Sequence, residues 1–142
     1  MFDELNKYHW SISTNGYAQR RVKIGNKTSI ILMHRQIMEL TFGDGKCVDH
    51  INGNRLDNRK SNLRLCTRTE NNHNMKLSSR NKSGAKGVYV QSKNRLRVSI
   101  MVNGKNIYIG TFPNTEAGLK QAKTAYNNAA IKYYGEFAYL NP

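Results

Sequence analysis

Between Val88 and Ile109 apolar and polar residues alternate. Val88, Val90, Leu96, Val98, Ile100, Val102, Ile107 and Ile109 are interleaved with Tyr89, Gln91, Arg95, Arg97, Ser99, Met101, Asn106 and Tyr108. A period of two places one set on each face of a sheet, so one face is apolar and the other polar and basic. Asn103-Gly104 reads as the turn between the second and third strands, and Asn114 or Thr115 begins a helix whose Ala117, Gln121, Ala125 and Ala129 positions are mainly small. Small residues let a helix lie close to a sheet. The expectation for 85–142 is a three-stranded antiparallel sheet packed on one helix, with the basic face left for a partner.

The earlier pattern is different. Over residues 8–33, β-rich runs are broken at Asn15-Gly16 and Gly25-Asn26, which predicts a three-stranded meander. Met33, Ile37, Met38 and Leu40 recur at helical spacing before Gly43 and Gly45, which predicts a short helix. Residues 46–75 read as strand, polar loop, strand and helix, with Thr67 or Thr69 as the helix cap and Asn71 in its first turns. The segment 76–84 is polar, basic and aperiodic, and reads as a linker that touches phosphate. The fold class expected is α+β, divided as 1–75, linker 76–84, and 85–142.

Composition adds a partner. The chain has 142 residues, 38% of them hydrophobic, enough for one ordinary domain or two small ones. Its 23 lysines and arginines against 9 acids give a formal charge of +14, which points to a polyanion. The longest apolar run, Ile30-Ile31-Leu32-Met33, is far too short to span a membrane, and nothing resembles a secretory signal. A soluble, cytoplasmic protein is expected. Cys47 and Cys66 are too few for a disulfide framework or a four-thiolate zinc site and read as buried thiols; a zinc site shared with His34 or His73 is the lesser reading.

The candidate chemistry lies in Val48-Asp49-His50-Ile51-Asn52-Gly53-Asn54, with Asn62-Leu63-Arg64-Leu65 and Glu70-Asn71-Asn72 downstream. Phosphodiester hydrolysis needs a base for water and a cation for the departing oxyanion, so His50 suits the base and Asp49 the cation. Asn52, Asn54 and Asn58 read as turn residues. Arg59 and Arg64 fit either phosphate contacts or a solvated face, and His34 reads as structural.

Residues 48–72 resemble the His-Asn-His nuclease motif, a two-stranded ribbon and a helix around one divalent metal. The stretch 8–75, including Met33-His34-Arg35, is similar to phage and intron-associated homing-type members of that superfamily. Residues 84–141 resemble the APETALA2-type DNA-binding domain. Gly87-Val88, Ile109-Gly110-Thr111-Phe112, Glu116-Ala117, Ala125-Tyr126-Asn127, Ala129-Ala130, Gly135 and Leu140-Asn141 fall in that family's order. The resemblance implies a ββα-metal nuclease module. In it Asp49 binds metal, His50 is the general base, Asn62 orients the imidazole, and Asn71 is the final ligand, with His73 as the alternative. It also implies products with 5′-phosphate and 3′-hydroxyl ends. Oxygen donors from Asp and Asn favour magnesium or manganese over zinc.

On the C-terminal sheet the polar face offers Tyr89, Gln91, Lys93, Arg95, Arg97, Met101 and Tyr108. A sheet face of this kind can enter the major groove and read base edges. The APETALA2 pattern places DNA contacts at Tyr89, Gln91, Lys93, Arg95 and Met101 and an aromatic at Tyr108. Tyr89 and Met101 stand where plant members commonly carry Arg, so base preference does not transfer. The expected function is a homing-type endonuclease on double-stranded DNA, monomeric and nicking. The competing class is a DNA-binding regulator with a retired nuclease half.

Overall fold

The computed structural model describes residues 2–142, which form two compact units, 2–72 and 73–142. The chain is a mixed α/β protein with three small antiparallel sheets, and no helix among the described residues is long and apolar enough to cross a membrane.

The first unit opens with α1 (Phe2–Asn6), which the sequence pattern did not predict, and Trp10 Nε1 donates to the Leu5 carbonyl at 2.9 Å. A meander follows in the order β1 (Ser11–Ile12), β2 (Ala18–Ile24), β3 (Lys27–Leu32). The Ile24↔Lys27 pair closes the expected Gly25-Asn26 turn, whereas Asn15-Gly16 sits in a longer loop closed by Ser13 N–H to the Tyr17 carbonyl at 2.8 Å. The predicted short helix is α2 (Met33–Ile37). Next come β4 (Cys47–His50), a polar loop, a turn of 3-10 helix at Lys60–Asn62, β5 (Leu63–Cys66) and α3 (Arg68–His73), whose last residue belongs to the second unit. Thr67 caps α3 reciprocally: its Oγ1 accepts from Glu70 N–H at 3.2 Å, and the Glu70 carboxylate accepts from Thr67 N–H at 2.7 Å. The core is small, with Ile37, Val48 and Leu63 buried and Leu5, Met33, Met38 and Leu40 packed around them.

The second unit is the sheet β6 (Val88–Ser92), β7 (Arg95–Val102), β8 (Lys105–Pro113) with α4 (Glu116–Tyr134) against it. Its core is larger: Ala85, Val88, Leu96, Val98, Ile100, Ala122, Tyr126 and Ala130. Thr115 is the cap, its hydroxyl accepting from Gly118 N–H at 3.1 Å. The sheet-facing row of α4 differs from the expected one by a residue. Gly118, Ala122, Tyr126 and Ala130 are buried, while Ala117 and Gln121 are exposed. A Cβ on Gly118 would lie 2.0 Å from the Pro113 carbonyl oxygen, so it is this row that makes the close approach.

Alternation is also imperfect. Register shifts occur between Val90 and Ser92 and between Val98 and Ser99; Val90 is exposed and Ser99 buried, against the simple pattern. The stretch 76–84 lies within the second unit, where the Ser83 hydroxyl donates to the Val88 carbonyl at 2.7 Å and Asn81 Nδ2 to the Ala85 carbonyl at 3.0 Å. Asn141 closes the chain end by accepting from Lys86 N–H at 2.6 Å and donating its own N–H to Asn127 Oδ1 at 2.8 Å.

Candidate functional site

Asp49 and His50 end β4 and are 5% and 4% exposed, and Asp49 is the one buried carboxylate among the described residues. The antiparallel ladder sets Asp49 opposite Arg64 and His50 opposite Leu63. Beyond His50 the chain turns through a loop stitched by its own side chains. Asn54 N–H donates to Asn52 Oδ1 at 2.8 Å and Leu56 N–H to Asn54 Oδ1 at 3.1 Å, the turn chemistry expected of these asparagines. Asp57 binds Arg59 through both oxygens, which with Asn52 holds its carboxyl well below the usual carboxylate range.

Asn58 makes the turn-type bond expected of it and also reaches His50. Its Oδ1 lies 3.1 Å from His50 Nε2, while its Nδ2 donates to the Leu56 carbonyl at 3.3 Å. The Asn58 amide thus holds the imidazole by a side-chain hydrogen bond at Nε2. Asn62 is buried but its amide does not reach the imidazole. Nδ2 donates to Asn52 Oδ1 at 3.0 Å and to the Asp57 carbonyl at 2.8 Å, and Oδ1 accepts from Asn52 N–H at 3.0 Å. It fixes the loop that carries Asn58, and so acts on His50 indirectly. Spacing alone could not separate Asn58 from its neighbours, because every asparagine in this loop makes a turn-type bond.

Arg64 is neither solvated nor turned outward. Its Nε and Nη2 donate to Asp49 Oδ2 at 2.9 and 2.7 Å, with side chains 14% and 6% exposed. Asn71 is half-buried in the first turn of α3. The His73 ring is stacked on Tyr134, centroids 3.6 Å apart at 10°. Among the described residues no group of three or more His, Cys, Asp and Glu is disposed to hold a metal. Asp49 and Asn71 instead offer hard oxygens of the kind magnesium or manganese takes while filling its remaining positions with phosphate and water, so the donors fit such an ion. Cys47 and Cys66 face each other across β4 and β5, each half-buried, and burial pushes the Cys66 thiol up to about 11.

Two aromatic neighbours of His50 lie outside the motif. His34 is 5% exposed, its ring edge-on to His50 at 5.2 Å, and Tyr17 stands 5.1 Å from His34 and 6.0 Å from His50. His34 Nδ1 is buried without a hydrogen-bond partner. Tyr17 carried no signal in the sequence beyond its place next to the Asn15-Gly16 turn.

In the second unit Tyr89 pairs with Arg97, and Arg97 with Thr111, in one row across three strands. The Arg97 guanidinium lies 5.6 Å over the Tyr108 ring, whose hydroxyl is 2.8 Å from Thr111 Oγ1. Tyr89, Arg95, Arg97, Met101 and Tyr108 are all exposed on strands. Gln91 sits at the β6 irregularity, and Lys93 lies in the β6–β7 turn rather than on the face.

A family model described as HNH endonuclease matches residues 32–73. A protein of Acanthamoeba polyphaga mimivirus named as an uncharacterized HNH endonuclease is 34% identical over 142 residues, covering 96% of this chain and 68% of that one. Protein 3.8 of Escherichia phage T7 is 37% identical over 76 residues, 51% of this chain and 63% of that one. No solved structure matches the chain.

Proposed function

Because the chain belongs to the HNH endonuclease family, whose members are nucleases acting on DNA, we propose that it is a homing-type, metal-dependent endonuclease that nicks duplex DNA. The observation that carries the reading is the buried Asp49-His50 pair at the end of β4, with His50 Nε2 held by Asn58. His50 is the general base that takes the proton of the attacking water. Asn58 stabilises the imidazolium that results, and Asn62 keeps the loop, and so Asn58, in place.

Asp49 and Asn71 would hold a divalent ion, magnesium or manganese, which when bound would supply Lewis-acid stabilisation of the phosphate and of the leaving 3′ oxygen. Arg64 fixes the Asp49 carboxylate from the neighbouring strand. The stack of His73 on Tyr134 engages that ring within the second unit, which favours Asn71 as the helix ligand. The second unit, an APETALA2-like module entered through the basic 76–84 segment, grips duplex DNA through Tyr89, Gln91, Lys93, Arg95, Arg97, Met101 and Tyr108. The protein acts as a monomer.

Purified protein incubated with supercoiled and linear DNA, with magnesium or manganese and with chelator, tests this reading. Metal-dependent cutting is expected, lost in His50→Ala, which keeps its DNA affinity. Equal cutting by that variant removes His50 as the base. Tight binding without cutting under any metal makes the protein a DNA-binding regulator.

A further inference from the structure

We infer that Arg55 is the phosphate clamp of the nuclease site: its guanidinium holds a backbone phosphate that flanks the scissile one on the cut strand. The inference rests on the DNA reading of the first unit given above.

Arg55 is an exposed residue of the loop that follows His50, three residues before Asn58, whose amide reaches the imidazole. Its side chain is nevertheless held. Nη1 donates to the Asn15 carbonyl at 2.7 Å, and the guanidinium carbon stands 4.9 Å over the Tyr17 ring. The stem follows the same loop, with Cδ 4.0 Å from the place a Cβ on Gly16 would take. Both polar contacts are with neutral groups. In that respect Arg55 differs from Arg35, Arg59 and Arg64, which are bound to Asp44, Asp57 and Asp49 at 2.8, 2.6 and 2.7 Å. Asp57, two residues along from Arg55, is taken up by Arg59 and Asn52. Among the described residues no carboxylate pairs with Arg55, so its positive charge is fixed in place and left uncompensated.

One ring sets its position relative to the chemistry. Tyr17 lies under the guanidinium and stands 6.0 Å from the His50 imidazole, so a single aromatic side chain spans the gap from the cation to the base. Successive phosphates of one strand advance about 3.4 Å along the duplex axis and are set further apart by their turn around it. A cation one ring removed from the base therefore meets the neighbour of the attacked phosphate rather than the attacked phosphate itself. The donors fit that ligand. One N–H goes to Asn15, and the rest of the planar fork matches the oxygens of a phosphate. Fixing the neighbouring phosphate sets the register of the strand, and with it the approach of water to the bond that breaks.

The cut is first mapped on a duplex that the full-length wild-type protein cleaves. Copies of that duplex are then made with one neutral methylphosphonate at a time in place of each phosphate around the cut. Wild-type protein should lose about tenfold or more in cleavage efficiency with one flanking methylphosphonate. Arg55→Met should lose a similar factor on the unmodified duplex and nothing further on that one modified copy, because both changes remove the same contact. Its melting temperature should stay close to the wild type's. Arg55→Lys should recover part of the loss, and Arg55→Gln, which can still donate to the Asn15 carbonyl, none of it. Undiminished cleavage by Arg55→Met overturns the clamp. So does wild-type sensitivity of Arg55→Met to every methylphosphonate, or recovery in Arg55→Gln, which reduces Arg55 to a tie between two loops. Wild-type protein that cuts no DNA under any metal overturns the DNA reading and the clamp with it.

Discussion

His34 is where the site and the fold meet in one side chain. Burial, with the His50 and Arg35 charges adding to it, pushes its imidazole down to about 4. The folded value lies below the unfolded one of about 6.5, so the unfolded chain takes up a proton that the native state refuses. The stability His34 confers is therefore complete above pH 6.5 and falls as pH drops toward 4, by roughly 3 kcal/mol over that window. Phenylalanine keeps the ring and removes the unpartnered Nδ1. His34→Phe should match or exceed wild-type stability at pH 7.5 and lose less on acidification to pH 4.5, read as urea midpoints at the two values; parallel acid losses would show that the native state protonates His34 after all. Single residues were unevenly legible. Asp49 and His50 stood out as a pair, and their burial gives that pair physical content. Asn58 and Arg64 did not, because the first looks like any turn asparagine and the second like any basic surface residue until cross-strand register brings it to Asp49.

Elements were legible where periodicity or capping is local, and illegible where packing decides. The Thr67-to-Glu70 capping box and the Thr115 cap follow from side-chain reach alone. The facing row of α4 does not, because small residues occur on neighbouring rows and only the close approach at Gly118 selects one. The irregularities at Val90 and Val98 likewise depend on pairing between strands. Gly87 shows how tightly the second unit is assembled. Its φ is +73°, and a Cβ would lie 2.0 Å from the Tyr126 ring. Gly87→Ala combines backbone strain with a clash against a buried aromatic, and should cost roughly 3 kcal/mol or more. Gly104, with φ +76° but open space around it, supplies the control. Gly104→Ala should cost only about 1 kcal/mol. Equal melting temperatures for the two variants would mean that the Tyr126 ring moves aside at little cost.

For the molecule as a whole, charge was readable from the start, but its arrangement was not. Residues 73–142 carry eleven basic side chains against two acidic ones; Arg95 and Arg97 lie at exposed strand positions, Lys120 and Lys132 at exposed positions of α4, and others in the 76–86 segment and the turns. Net charge alone predicts that losing any two of them weakens DNA binding alike. A sheet face seated in the groove predicts otherwise, since only cations placed against phosphate release counterions. Arg95→Ala with Arg97→Ala should reduce the slope of log affinity against log salt by about 1.8. Lys120→Ala with Lys132→Ala removes the same formal charge from exposed positions of the helix and should leave the slope unchanged. Titrations of both double variants across a salt series separate the two accounts: equal losses would make the basic composition a diffuse attraction, whereas loss confined to the strands makes the sheet the surface that holds DNA.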